Sequence, residues 1–183
     1  PRADGGSSDH EPPPCPPSPE GALAGLAPVY RRAGELVDGG TNTLLDLGTC
    51  FGFFPLRMAR ARAALSVQAA DLSPSTCDLV NRVSLRLGVP IPVFVCDAAY
   101  VPLASASIDT VTLLHVLEHV DAGHGAAILR EAVRVARRRV IVAVPLESEP
   151  AATFGHVRNL DLMQLASSGA DLAGVGPWRA RVE

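Results

Sequence analysis

A chain of 183 residues is one domain's worth of core-forming sequence and is too short for two ordinary domains. With 48% hydrophobic and 19% charged residues it can bury a core, yet no apolar run approaches the roughly 20 residues of a membrane helix, so a membrane span is not expected. The formal charge is -3, all 16 basic residues are arginine and aromatics make up 4%, so neither phosphate attraction nor base stacking is favoured and no nucleic-acid partner is expected.

Residues 1 to 21 are rich in Pro, Gly, Ser, Asp and Glu, including Pro12-Pro13-Pro14, and are expected to form a disordered tail ahead of a domain spanning 22 to 183. Beyond the tail, short apolar runs alternate with amphipathic segments, the mark of β-α-β units and a mostly parallel sheet. Leu26 to Val37 reads as a lead-in helix ended by Gly39-Gly40, Thr43 to Leu47 as a buried strand, and Phe53 to Ala64 as a helix with Pro55 in its first turn. Ser66 to Asp71 is a second strand. Ser73 caps a helix that begins at Pro74, reaches Leu87 and stops at Gly88. Val93 to Asp97 is a third strand, Asp109 to His115 a fourth, Ala122 to Arg137 a helix, and Val140 to Pro145 a fifth strand. Arg137-Arg138-Arg139, with Arg134, is then a solvated helix end whose cations meet the negative end of the macrodipole. Cysteines at 15, 50, 77 and 96 show no metal-binding or disulfide spacing, which suggests no metal site and a reducing cytoplasm. The chain starts at Pro1, so the lack of a targeting signal carries little weight.

The main chemical signal is Leu44-Leu45-Asp46-Leu47-Gly48-Thr49-Cys50-Phe51-Gly52, a strand running into a Gly-bearing turn that opens a helix. Such a turn lets backbone approach a ligand, and the helix offers unpaired N–H donors. The G-x-G-x-x-G spacing of a dinucleotide site is missing. Asp71 ends the second strand, where a carboxylate can accept both hydroxyls of a ribose, and Asp97 ends the third, within reach of an adenine amino group. In an open α/β sheet, Gly48, Asp71, Asp97 and His115 all fall on the carboxyl edge, where ligands bind.

These segments, with Ala70-Asp71-Leu72-Ser73, Cys96-Asp97-Ala98, Ile108-Asp109-Thr110-Val111 and Leu117-Glu118-His119-Val120, resemble the successive motifs of class I S-adenosylmethionine-dependent methyltransferases. The resemblance covers roughly residues 26 to 165 and implies a Rossmann-like three-layer α/β fold with S-adenosylmethionine as cofactor. It implies that Asp46, Gly48, Thr49, Phe51 and Gly52 hold the methionine end, Asp71 and Leu72 the ribose, Asp97 and Ala98 the adenine, and that His115 borders the sulfonium. Cys50 stands where the family usually has a middle Gly. Seven strands are usual in this family. After a helix near Asn159 to Ser168 only Trp178 to Val182 could supply another strand, so the last one is expected to be missing.

No Asn/Asp-Pro-Pro-aromatic sequence follows the fourth strand, which disfavours amino-methylation of DNA bases, and no carboxylate cluster with Asn suggests a magnesium-dependent catechol-type enzyme. The reading is methyl transfer to a small-molecule or glycan acceptor, with oxygen favoured over nitrogen and a sugar hydroxyl as one candidate. His119 is either a general base or part of a Glu-His pair packing the post-strand turn, and His156 is a base or substrate contact on the loop after the fifth strand. Glu147 and Glu149 share that loop. Two alternatives stay open: a cofactor-binding protein without catalysis, which would yield no S-adenosylhomocysteine, and an NAD-dependent oxidoreductase.

Overall fold

The structure is a computed structural model that describes residues 19–146 and 154–160, with side chains from residue 25 onward. The Pro-rich segment up to residue 18, Glu147, Glu149 and the expected C-terminal helix and strand lie outside the described residues. Ten elements follow one another: α1 (Pro19–Leu36), β1 (Thr43–Leu47), α2 (Phe53–Ala61), β2 (Ser66–Asp71), α3 (Pro74–Arg86), β3 (Val93–Val95), β4 (Ile108–Leu114), a single 3-10 turn (Leu117–His119), α4 (Ala122–Val135) and β5 (Ala136–Ala143). The strands pair in parallel in the order β3-β2-β1-β4-β5. This is the expected α/β three-layer architecture. None of the described helices is long and apolar enough to cross a membrane.

Continuous apolar runs suit β1 and β4 because both lie inside the sheet, with helices on each face. Every residue of β4 is buried. On one face, Leu45 and Leu47 of β1 and Val111 and Leu113 of β4 pack with Ile128, Ala132 and Val135 of α4. On the other, Leu44 and Leu114 join Ala33 of α1, Phe54 and Met58 of α2 and Val80 of α3. The second face also takes Asp46, two residues from Leu44, and that alternation places a carboxylate inside the core.

Several boundaries differ from the sequence reading. Helix α1 starts at Pro19, since Ala22-Leu23-Ala24 are good helix formers. Helix α2 ends three residues early, where the Arg62 guanidinium donates to the carbonyls of Val37 (2.8 Å) and Asp38 (2.9 Å). Strand β3 stops at Val95 and β4 runs from Ile108 to Leu114. The larger correction concerns the arginine run. Helix α4 ends at Val135 and β5 begins at once, so Arg137, Arg138 and Arg139 belong to a strand, with Arg139 in register with Thr110. They are not a solvated helix end. Arg137 donates both Nε–H (3.0 Å) and Nη2–H (2.6 Å) to the single oxygen Asp109 Oδ1, Arg138 donates to the Gly40 carbonyl, and Arg139 donates to the Leu36 carbonyl and pairs with Asp38 at 3.1 Å.

Asp109 is the hub of this amino edge. Its Oδ2 accepts the backbone N–H groups of Asn42 (2.9 Å) and Thr43 (3.1 Å), while its own N–H donates to Thr43 Oγ1 (2.8 Å). The Asn42 N–H above all, with Arg137 and the Thr43 N–H, lowers the Asp109 pKa from 3.8 to about 2 against the opposing cost of burial. Asp109→Ala leaves two backbone donors and a guanidinium without their acceptor and is expected to cost about 3 kcal/mol, read by urea unfolding at pH 7. Because the folded-state pKa is depressed, this contribution is present above 3.8 and is lost as the pH falls toward about 2. The gap between wild type and variant should therefore close over that interval.

Candidate functional site

The chain leaves β3 on one side of β1 and crosses to β4 on the other, which makes the carboxyl ends of β1 and β4 the topological switch point. The turn after β1 is pinned to its neighbour, with the Gly48 and Thr49 N–H groups both donating to the Ala70 carbonyl (2.9 and 3.0 Å). Gly48, Cys50 and Gly52 have φ of +70°, +50° and +74°. A Cβ at Gly48 would lie 2.6 Å from Val116 Cγ2, so the turns after β1 and β4 touch here. Cys50 adopts the same left-handed backbone with its residue exposed, so the side chain is accommodated at the cost of local strain.

Asp71 braces this turn. Its Oδ2 accepts the Cys50 N–H (2.9 Å) and its Oδ1 the Ser73 N–H (3.0 Å), leaving each oxygen a further acceptor direction. Asp46 lies behind the turn, 3% exposed, with Thr112 Oγ1 donating to Oδ1 at 2.5 Å. Burial pushes its pKa up from 3.8 to about 6, with the Thr112 hydroxyl pulling the other way. The Thr49 hydroxyl lies beside that carboxylate without meeting hydrogen-bond geometry, and it is buried with no partner. Phe51 and Leu72 are exposed, and Ala98 is half-buried.

Asp97 follows β3, with Oδ1 accepting both the Ala99 N–H (2.9 Å) and His124 Nε2–H (3.1 Å). The His124 contact spans 27 positions, and nothing in the local sequence signals it. His115 follows β4 in a left-handed conformation (φ +59°), held by its N–H on the Ala143 carbonyl (2.8 Å). Its Nδ1 lies 3.1 Å from Oε1 of Glu118, a carboxylate only 1% exposed. Glu118 was not among the sequence candidates, although its i,i+3 spacing from His115 in a tight turn was a usable signal.

The 154–160 segment is stitched onto this turn. The Val157 N–H donates to the Glu118 carbonyl (2.9 Å) and Arg158 Nε to the Leu117 carbonyl (3.1 Å). Arg158 is thus a fastener for the turn. His156 is thereby set edge-on against His119 (ring centroids 5.0 Å apart), while His119 Nδ1 faces the Gly155 carbonyl at 3.3 Å. All four buried side-chain polar atoms without a partner among the described residues lie at this end: Thr49 Oγ1, His115 Nε2, Glu118 Oε2 and Asn159 Oδ1. Unsatisfied groups of this kind, gathered at a switch point, are the mark of a ligand site.

The sequence profile of a methyltransferase-domain family matches residues 45–144. No curated protein matches the sequence significantly. Among solved structures, the chain is similar to the magnesium protoporphyrin IX methyltransferase of Synechocystis PCC 6803 with bound SAH (TM-score 0.71, 16% identity, 82% of this chain and 74% of that one). It is also similar to an O-methyltransferase family protein of Burkholderia thailandensis (0.68, 18%, 84% and 52%) and to the YcgJ protein of Bacillus subtilis (0.66, 15%, 78% and 66%). At these identities the likeness is one of fold. The chain spans between about half and two thirds of the length of several structures it matches.

Gly52 tests how tightly the turn is built. A Cβ there would lie 2.7 Å from Val80 Cγ1 and carry an unfavourable positive φ. Gly52→Ala is expected to destabilise by about 2 kcal/mol in thermal or urea unfolding, whereas a loss under about 0.5 kcal/mol would show that the turn can relax.

Proposed function

Because the chain belongs to the methyltransferase-domain family, we propose that it transfers a methyl group from S-adenosylmethionine to a hydroxyl of a small or medium-sized acceptor. The observation that supports this best is the group of buried polar atoms without partners at the β1–β4 switch point, on Thr49, His115, Glu118 and Asn159. Burial raises the pKa of Asp46, and the cofactor's α-ammonium is a cation that would offset that cost. The Thr49 hydroxyl, buried without a partner, suits the methionine carboxylate. The free acceptor directions of Asp71 suit the ribose hydroxyls, Asp97 and Ala98 the adenine, with Phe51 and Leu72 as apolar cover. Bound there, the cofactor supplies an electrophilic sulfonium methyl.

The protein's share of the chemistry is alignment and proton removal. His115 lies at the end of β4 with Glu118 fixing its Nδ1, and its Nε2 is buried without a partner. His156, backed by His119, assists departure of the acceptor's proton, which the poor nucleophilicity of a neutral hydroxyl requires. Gly48 to Leu56, Asp71 to Pro74, His115 to His119, Val144-Pro145 and Gly155 to Arg158 are similar to motifs of the mycofactocin oligosaccharide methyltransferase. A glucose hydroxyl of such an oligosaccharide is therefore the first acceptor to test.

Calorimetry with S-adenosylmethionine and mass spectrometry of S-adenosylhomocysteine and methylated product test the reading. Binding without turnover on any acceptor would indicate a cofactor-binding protein. Asp71→Ala is expected to cost on the order of 2 to 4 kcal/mol of cofactor affinity, and unchanged affinity would remove the ribose assignment. The cofactor's ammonium prefers the ionised form of Asp46, so affinity should weaken as the pH drops below about 6. Asp46→Asn should be weaker throughout and lose that pH dependence. His156→Ala should lower kcat at least about tenfold while leaving cofactor affinity nearly intact.

A further inference from the structure

The pairing of His156 with His119 acquires a more specific meaning once Glu118 is included. One carboxylate oxygen of Glu118 and one ring nitrogen each of His119 and His156 all lie within 4.8 Å of one another. The three come from two stretches of chain, and the Val157–Glu118 and Arg158–Leu117 bonds hold those stretches in place. A second observation points to a ligand: Glu118 is 1% exposed, its Oε1 is held by His115, and its Oε2 is buried with no hydrogen-bond partner. A carboxylate oxygen left so is costly unless something positive completes it.

His119 is prepared in the complementary way. The Gly155 carbonyl can only accept, so His119 Nδ1 carries the proton and, in the neutral ring, Nε2 keeps its lone pair. A ring whose second nitrogen donates to a backbone carbonyl, beside a carboxylate fixed by a neighbouring side chain, is the usual outer bracing of a metal site. We propose that Glu118, His119 and His156 bind one divalent transition-metal ion beside the β1–β4 switch point. Two imidazoles and one carboxylate favour manganese, iron, cobalt or zinc over magnesium or calcium, which prefer oxygen ligands throughout. Three protein ligands leave positions open for a substrate oxygen.

The use of this ion rests on the methyl-transfer reading. Coordination lowers the pKa of an acceptor hydroxyl, so its proton passes to solvent. The oxygen's electron pair then forms the bond to the methyl carbon as the carbon–sulfur bond breaks, and the bonding pair returns to sulfur as a neutral thioether. His119 and His156 thus promote proton loss through the metal.

Cobalt(II) chloride titrated into the intact chain should give visible d–d bands that saturate at one equivalent, without a thiolate charge-transfer band. His119→Ala and His156→Ala should each weaken binding at least tenfold, and Glu118→Gln should do the same if it folds. His119 is exposed, so its variant remains a folded test. No saturable binding at submillimolar cobalt, binding by both histidine variants as tight as by the wild type, or a thiolate band would overturn the site. Calorimetry with S-adenosylmethionine on the same protein separates the two proposals. Cobalt binding with no cofactor affinity keeps the metal site and sinks the methyl-transfer reading, whereas methyl transfer unaffected by chelator or by His119→Ala sinks the metal's role.

Discussion

The register of β1 on β4 sets the rest of this molecule. The two strands lie side by side in the middle of the sheet with almost every side chain buried, and Leu44 aligns with Thr110, Asp46 with Thr112 and Leu47 with Leu113. A parallel pair buried on both faces has no solvent side to which a polar group can escape. Each polar residue on it must find a partner across the ladder or at one of the two strand ends. A shift of β1 by one residue would turn Asp46 onto the face that packs against α4 and away from Thr112.

The two ends of that pair resolve their polar groups differently. At the amino end, Asp109, Arg137, the Asn42 and Thr43 N–H groups and Thr43 Oγ1 close among themselves, so charge and hydrogen-bonding capacity are used up. At the carboxyl end, Thr49, His115, Glu118 and Asn159 each retain a buried atom without a partner. Gly48, Cys50, Gly52 and His115 hold positive φ at that end, as Ala106 does just ahead of β4 at the other. One end holds the sheet together, while the other keeps unmet polarity that a bound molecule can relieve.

Asp46 and Asp109 make the same contrast in a single residue type. Both are 3% exposed, yet Asp46 is driven up to about 6 and Asp109 down to about 2. Asp109 has an arginine and two backbone donors, whereas Asp46 has a hydroxyl and the field of Asp71. Desolvation beneath the turn dominates at Asp46, whereas at the strand's amino edge the backbone donors and Arg137 outweigh it at Asp109.

Much of this was legible in the sequence because it is local. The apolar runs of β1 and β4, the Ser73-Pro74 helix start, Gly88 as a stop and the Gly-bearing turn after Leu47 each follow from a few neighbouring residues. Strand alternation with helices then implied a parallel sheet whose carboxyl edge gathers Gly48, Asp71, Asp97 and His115. Arg137 to Arg139 were misread because helix α4 passes into β5 without a turn residue, and only cross-strand partners such as Asp109 and Asp38 hold them extended. His124 reaching Asp97, Thr112 reaching Asp46, and Glu118 and His119 meeting His156 depend on separations of 27, 66 and more than 30 positions. Contacts at such range are set by how buried strands register and where loops are stitched, so only the tertiary structure could decide them.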